Sequence, residues 1–162
     1  EDESVEVAAH RELQEETGVA KVYLEQLYTF GEPKRDPRGR VITVAYYALV
    51  PDSQILCSGT DAADAAWFSV AKLPALAFDH LQIVEYARRR IANKLDYTNV
   101  GFELLAEKFT LTELQTVHEA ILGETLDKRN FRRKIIHRGI VEPTKEWHKA
   151  GRKPAQLYRF SH

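Results

Sequence analysis

Glu12, Glu15 and Glu16 stand within "RELQEETG", residues 11–18, at spacings of three and four residues. On a helix that spacing brings side chains together. With about 100° between successive residues, Val5, Ala9 and Leu13 mark one apolar arc. Glu16 falls inside the arc, Glu12 at its edge beside Ala8, and Glu15 a little further round. Three neighbouring carboxylates repel one another, and their desolvation is costly. A hard divalent cation relieves both costs, and oxygen ligands favour Mg2+, Mn2+ or Ca2+ over zinc. A surface helix with ion pairs, for instance Arg11 with Glu15, accounts for the same residues on the wheel alone.

The other end of the chain has the opposite chemistry. Residues 1–126 hold 12 Lys and Arg against 21 Asp and Glu, a net −9, whereas residues 127–162 hold 11 against 3, a net +8. Such asymmetry implies an acidic module followed by a basic one with an anionic partner. In the helix expected from Asp127 to Arg138, Phe131 and Ile135 form an apolar back. Arg129, Asn130, Arg133, Lys134 and His137 form the opposite side, a basic front with an amide that suits phosphate and base-edge contacts. Arg152 and Lys153, beside Gly151 and Pro154, make a short basic tip suited to a minor groove or a phosphate. A helical cap whose basic face pairs with the acidic module is the competing reading.

The elements that must position these residues follow from local signals. A helix is expected from Ser4, its N-cap, to Thr17, with Gly18 as the stop. Val22–Phe30 reads as a strand, and "GEPKRDPRGR" (31–40) as a charged, turn-rich loop. Val41–Val50, apolar on both alternating faces, reads as a central buried strand. A polar connection over Pro51–Asp64, a short strand over Ala66–Val70, a helix from Asp79 to about Lys94 and a linker at Asp96–Val100 come next. Thr110 and Glu113 form a capping box, with Phe109 and Leu114 as its hydrophobic staple; that helix should end at Gly123. Leu126 and Phe131 can staple the next helix, which ends before Gly139. Ile140–Glu142 and Gln156–Phe160 read as strands around the loop "PTKEWHKAGRKPA". Helix, helix, strand, basic loop, strand is the order at the end of a winged helix.

No run of 18 apolar residues suggests a membrane span. The chain opens on acidic residues rather than a signal peptide, and Cys57 is the lone cysteine, so a cytoplasmic, reducing setting is expected. Trp67, Phe68, Tyr46 and Tyr47 are expected in or near the core. Trp147 is expected in the wing loop, packed against it or reaching a partner.

Glu3, seven residues and then Arg11-Glu12-Leu13-Gln14-Glu15-Glu16-Thr17-Gly18-Val19 resemble the Nudix box, G-x5-E-x7-R-E-U-x-E-E-x-G-U, where U is a bulky aliphatic residue. Every position from Glu3 onward matches; the leading glycine would precede residue 1. The resemblance implies that Glu12, Glu15 and Glu16 bind the metal, Mg2+ or Mn2+. It implies too that Arg11 orients a glutamate and that Glu3 supports the loop or the metal site. These four, Arg11, Glu12, Glu15 and Glu16, are then the candidate catalytic set for hydrolysing a nucleoside diphosphate linked to another group. Asp61 and Asp64 are candidates for a water-activating acid. The strands that precede the box in that fold are missing here, so the expected fold is α/β (α+β), an N-terminally truncated mixed sheet flanked by helices.

"QLYTFGEPKRDPRGRVITVAYYALV", "LPALAFDH", "KFTLTELQTVHEAILG", "LDKRNFRRK" and "GRKPAQLYRF" together resemble the NrtR-type Nudix-related transcriptional regulators and their sugar-responsive AraR-type relatives. This resemblance runs from Glu3 to Phe160. It implies an effector domain over residues 1–96 and a winged helix over 101–162 that binds operator DNA as a homodimer. The implied effector is a nucleotide or sugar metabolite such as ADP-ribose, with Arg38 or Arg40 near its phosphates and Asp36 in the same loop. Effector binding would alter the placement of two winged helices on their half-sites. The expected role is regulation of NAD-related or sugar metabolism genes. The alternative is an ADP-ribose pyrophosphatase using Mg2+, which the intact R-E-x-x-E-E keeps open.

Overall fold

The computed structural model describes residues 2–51, 66–95, 97–148 and 154–161. Cys57, Asp61, Asp64, Arg152 and Lys153 lie outside the described residues. The chain divides into two compact units between Arg90 and Ile91.

The first unit opens with α1, Val5–Thr17. The Ser4 hydroxyl accepts the Val7 N–H at 3.2 Å, and Gly18 ends the helix at φ 72°, a left-handed conformation that glycine adopts without a Cβ penalty. Strands β1 (Tyr23–Phe30) and β2 (Thr43–Leu49) pair antiparallel from Tyr23↔Leu49 to Phe30↔Thr43, with a bulge between Gln26 and Tyr28. Leu27 of β1 and Ala45, Tyr47 and Leu49 of β2 are buried, as period-two alternation requires. β2 is not the doubly buried central strand its composition suggests. Among the described residues it pairs with β1 alone, and Val44 on its other face is exposed. A strand apolar on both faces is buried on both only where both are covered.

Helix α2, His80–Leu95, packs Tyr86 against Tyr28 and Phe30, with ring centroids 5.3 and 5.9 Å apart. Its Arg90 guanidinium donates to the Leu27 carbonyl at 3.1 Å. The expected strand at Ala66–Val70 does not form: residues 66–69 are irregular and Val70–Lys72 is one 3-10 turn. A strand needs a ladder partner for its backbone groups, and no described strand pairs with this stretch. Trp67 and Phe68, expected in or near the core, are 64% and 58% exposed among the described residues.

The second unit takes the last turn of α2. Leu95 is buried there, and its carbonyl accepts from Arg138 at 3.4 Å. A 3-10 turn (Val100–Leu104), β3 (Phe109–Thr110), α3 (Leu111–Leu122), α4 (Lys128–His137), β4 (Val141–His148) and β5 (Ala155–Phe160) follow. The sheet order is β3-β5-β4, antiparallel throughout. Phe109, Leu111, Leu114, Phe131 and Ile135 form its core, with Phe102, Leu105, Leu126, Ile140, Val141 and Tyr158 packed around them.

Of the two strands expected at the wing, Gln156–Phe160 forms as β5, beginning one residue earlier, and Ile140–Glu142 needs correction. β4 continues through Pro143–Trp147, which reads as loop in the sequence, because β4 is an edge strand and a proline there breaks no ladder bond. A bulge lies between Pro143 and Trp147. Side chains bridge it: Thr144 donates to the Leu157 carbonyl at 3.0 Å and Gln156 to the Thr144 carbonyl at 2.6 Å. The two-residue β3 was not foreseen; only its pairing with Tyr158 and Leu157 makes it a strand.

Caps set the helix ends here as expected. The Thr110 N–H donates to Glu113 at 2.6 Å and the Glu113 N–H to Thr110 Oγ1 at 3.1 Å. Gly123 ends α3 at φ 75°. Asp127 accepts the Asn130 N–H at 2.8 Å at the start of α4. Between the helices the Glu119 carboxylate accepts the Leu126 N–H at 2.8 Å and the Gln115 amide at 2.9 Å. Gln115 also donates to the Leu126 carbonyl at 2.9 Å. These bonds, that from the Leu126 backbone first, hold the Glu119 carboxyl below its ordinary pKa.

Leu114→Ala should lower the unfolding free energy of the winged-helix unit by about 3 kcal/mol, the usual cost of emptying a leucine site, as read by denaturant titration. Glu119 predicts a pH dependence with a definite sign. Its folded pKa is depressed, so its contribution is present above the unfolded carboxyl value and is lost as pH falls through the folded one. Thermal unfolding followed from pH 6 down to pH 3 should show a shallower acid loss in Glu119→Gln than in the parent, together with a lower Tm at pH 6. Parallel curves would show that the turn does not depend on this carboxylate.

Candidate functional site

The exposed front of α4 is positioned by what the helix buries. Phe131 and Ile135 enter the core, and the Phe131 ring meets His118 of α3 edge-on with centroids 5.1 Å apart. Arg132 reaches Thr112 Oγ1 at 3.2 Å, tying the flank of α4 to the first turn of α3. The helix therefore cannot roll without emptying the core. Arg129, Asn130, Arg133, Lys134 and His137 are all exposed, as the wheel requires. Arg133 donates to Asn130 Oδ1 at 3.0 Å, which couples a cation to the amide one turn away.

Five of the ten residues of α4 are Lys or Arg, and none is acidic. Lys128 and Arg129 occupy the first turn, where the helix dipole disfavours cations, and the N-cap Asp127 sets a carboxylate beside them. A polyanion along this face relieves the repulsion, and each neutralised phosphate releases counterions. Arg152 and Lys153 fall outside the described residues. The strands that lead to them, β4 and β5, fix the base of the wing.

In the first unit Arg11 is the hub of the acidic cluster. It lies 2.6 Å from Glu3, 2.8 Å from Glu12 and 2.8 Å from Glu15. Hydrogen bonding to Glu3, Glu12 and Glu15 raises its pKa, and the Arg11 contact lowers that of Glu3. The apolar arc is covered only in part: Ala9 and Leu13 are half-buried and Val5 is exposed, and Glu12, Glu15 and Glu16 are exposed. Among the described residues no three His, Cys, Asp or Glu side chains are placed to hold one ion. The donor chemistry of Glu12, Glu15 and Glu16 suits a hard cation, and in this arrangement the Arg11 guanidinium pairs with Glu12 and Glu15. The Arg11–Glu15 ion pair that the wheel allows is present, and Glu12 shares the same guanidinium.

The 31–40 loop separates three arginines that look alike in sequence. The Arg35 side chain is buried, and it donates twice to Asp79 at 2.8 Å and once to Thr43 Oγ1 at 2.6 Å. It anchors the loop and was not singled out from the sequence; nothing local marks it, since Asp79 is 44 positions away. Arg38 donates to the buried Asp36 at 2.8 and 3.0 Å, and its guanidinium carbon lies 4.8 Å from the centre of the Phe78 ring. The Arg38 guanidinium and backbone N–H hold the Asp36 carboxyl down to about 2. The Arg38 side chain is nevertheless 75% exposed, so its outer face is open to an anion. Arg40 is exposed and is not drawn into this cluster. Asp61 and Asp64 lie outside the described residues.

Residues 1–87 match the NUDIX domain family, and residues 101–160 match the NrtR DNA-binding winged helix domain. The chain is 41% identical over 162 residues to a protein of Acinetobacter baylyi named ADPR responsive transcriptional repressor NtrR, covering 99% of this chain and 65% of that protein. It thus spans slightly less than two thirds of that relative. Over 83 residues it is 41% identical to an ADP-ribose pyrophosphatase of Methanocaldococcus jannaschii, covering 51% of this chain and 48% of that one. The crystal structure of Shewanella oneidensis NrtR complexed with a 27mer DNA is similar at a TM-score of 0.74 and 37% identity, covering 99% of this chain and 74% of that one. The chain belongs to the NrtR-type branch of the NUDIX family, a NUDIX domain followed by an NrtR DNA-binding winged helix domain.

Proposed function

We propose that this chain is the sensing and DNA-binding part of a transcriptional repressor that responds to ADP-ribose or a close nucleotide relative. The observation that carries the reading is the locked basic face of α4, with Asn130 at its centre. Likeness to a repressor named as ADPR responsive and to an NrtR bound to DNA supports it. Arg129, Arg133 and Lys134 neutralise backbone phosphates and fix the register of the helix. Asn130 reads a base edge, for which an amide offers a paired donor and acceptor. Arg152 and Lys153 extend the contact from the wing. Two copies on a two-fold operator place two such helices in successive major grooves. Among the described residues no helix is long and apolar enough to cross a membrane, and a DNA partner implies a cytoplasmic location.

The effector binds the first unit. Arg38, steered by Asp36 yet exposed, meets its phosphates, with Arg40 as a second cation. Release from DNA requires the effector to bind the DNA-free arrangement more tightly than the DNA-bound one. Genes of NAD-related metabolism are the expected targets, since ADP-ribose is chemically a fragment of NAD.

A second reading, hydrolysis of the ADP-ribose pyrophosphate, is favoured by the complete Arg11-Glu12-x-x-Glu15-Glu16 pattern and by likeness to the pyrophosphatase. Mg2+ or Mn2+ bound by Glu12, Glu15 and Glu16 would neutralise the pyrophosphate charge. Because Arg11 pairs with Glu12 and Glu15 here, no hydrolytic step is assigned to this arrangement.

Titration of a labelled operator-like duplex at fixed salt, with and without ADP-ribose, tests the reading. Arg133→Ala should weaken binding to all duplexes and reduce the slope of log affinity against log salt by about 1. Asn130→Ala should lose about 1–3 kcal/mol of discrimination at one base position. Arg38→Ala should bind DNA like the parent but need far more ADP-ribose for release. Equal affinity of the parent for operator-like and random duplexes, with ADP-ribose cleaved in the presence of Mg2+, would replace the repressor reading with the hydrolase.

A further inference from the structure

Trp147 is 55% exposed on β4, whereas the aromatic residues of the neighbouring strands, Phe109, Tyr158 and Phe160, are buried or half-buried. Its backbone is held in the sheet opposite Gln156, so the ring is presented from a fixed base. The charges around it are sorted. Glu146 is paired with Lys108 at 2.6 Å and Glu142 with Arg159 at 2.5 Å. Lys145 is exposed and has no ion pair among the described residues. The edge of the wing thus offers a flat apolar ring and a cation, with its two carboxylates already neutralised. A partner with anionic groups beside flat or apolar faces fits that pairing, and a nucleic acid has both.

We infer that Trp147 is a DNA-contacting residue of the wing, resting on the DNA-binding reading above. Its ring lies against a deoxyribose or base face at the border of the α4 footprint, and its indole N–H donates to a phosphate oxygen. Lys145 supplies a neighbouring phosphate contact. The indole adds affinity without adding charge, so its contribution survives added salt while that of α4 declines.

The test compares the full chain with Trp147→Ala, Trp147→Phe and Arg133→Ala on operator-like and random duplexes over a salt series. Trp147→Ala should weaken binding to both duplexes on the order of 10-fold with an unchanged salt slope, and Trp147→Phe should restore most of the loss. In a Trp67→Phe chain Trp147 is the only tryptophan, and DNA should quench its emission. Parent-like affinity in Trp147→Ala, with Arg133→Ala weakened, overturns the inference and leaves the DNA-binding reading standing. Absence of duplex binding by the parent overturns both. If Trp147→Ala keeps its DNA affinity but sediments as a smaller species than the parent, the wing is a contact between copies and the inference fails.

Discussion

Phe131 and Ile135 can be buried with Leu114 only if the cations of α4 face outward. That one constraint ties the stability of the second unit to its chemistry. The side chains on one side of a ten-residue helix supply burial, and the other side then collects a charge density that burial could never tolerate. Gln115 and Glu119 hold the turn that sets where α4 begins, Asp127 caps it, and Arg132 fixes its flank to α3. The basic face is rigid because its back is packed, which makes it a template rather than a loose charged tail.

Guanidinium groups do three different jobs in the first unit, and burial decides which. Arg35 is enclosed and satisfied by a bidentate carboxylate and a hydroxyl, so it holds the loop to the start of α2. Arg38 is clasped from behind by a buried carboxylate and left open in front, a posture that costs little reorganisation when an anion arrives. Arg11 gathers Glu3, Glu12 and Glu15 at the surface. There the pairing keeps three acidic side chains together at modest energetic value, because exposed ion pairs are heavily screened.

The wing shows how an edge strand can present side chains without carrying the fold. β5 sits between β3 and β4 and supplies Tyr158 to the core, whereas β4 tolerates a proline, a bulge and an exposed tryptophan. Side-chain bonds from Thr144 and Gln156 take over where the ladder is interrupted. The edge is therefore free to present polar and aromatic groups at no cost to the core. In the first unit, Trp67 and Phe68 show the opposite failure of expectation: aromatic composition alone does not bury a residue, because burial needs a second surface to close over it.

Every helix end that a local signal marked was legible in the sequence. Ser4, Gly18, Thr110 with Glu113, Gly123 and Asp127 act on backbone groups within four residues, so their meaning does not depend on the rest of the chain. The basic front of α4 was legible for the same reason, since helical periodicity alone separates Phe131 and Ile135 from Arg129, Asn130, Arg133 and Lys134. The Nudix box and the winged-helix order were likewise readable as patterns. Only the tertiary structure decided which of Arg35, Arg38 and Arg40 is an anchor, because Asp79 lies 44 positions from Arg35. It alone gathered Glu3 and Glu12 with Glu15 on Arg11, paired β3 with β5 and extended β4 past Pro143. These outcomes depend on which distant segment supplies the partner, and a wheel or an alternation pattern holds no such information.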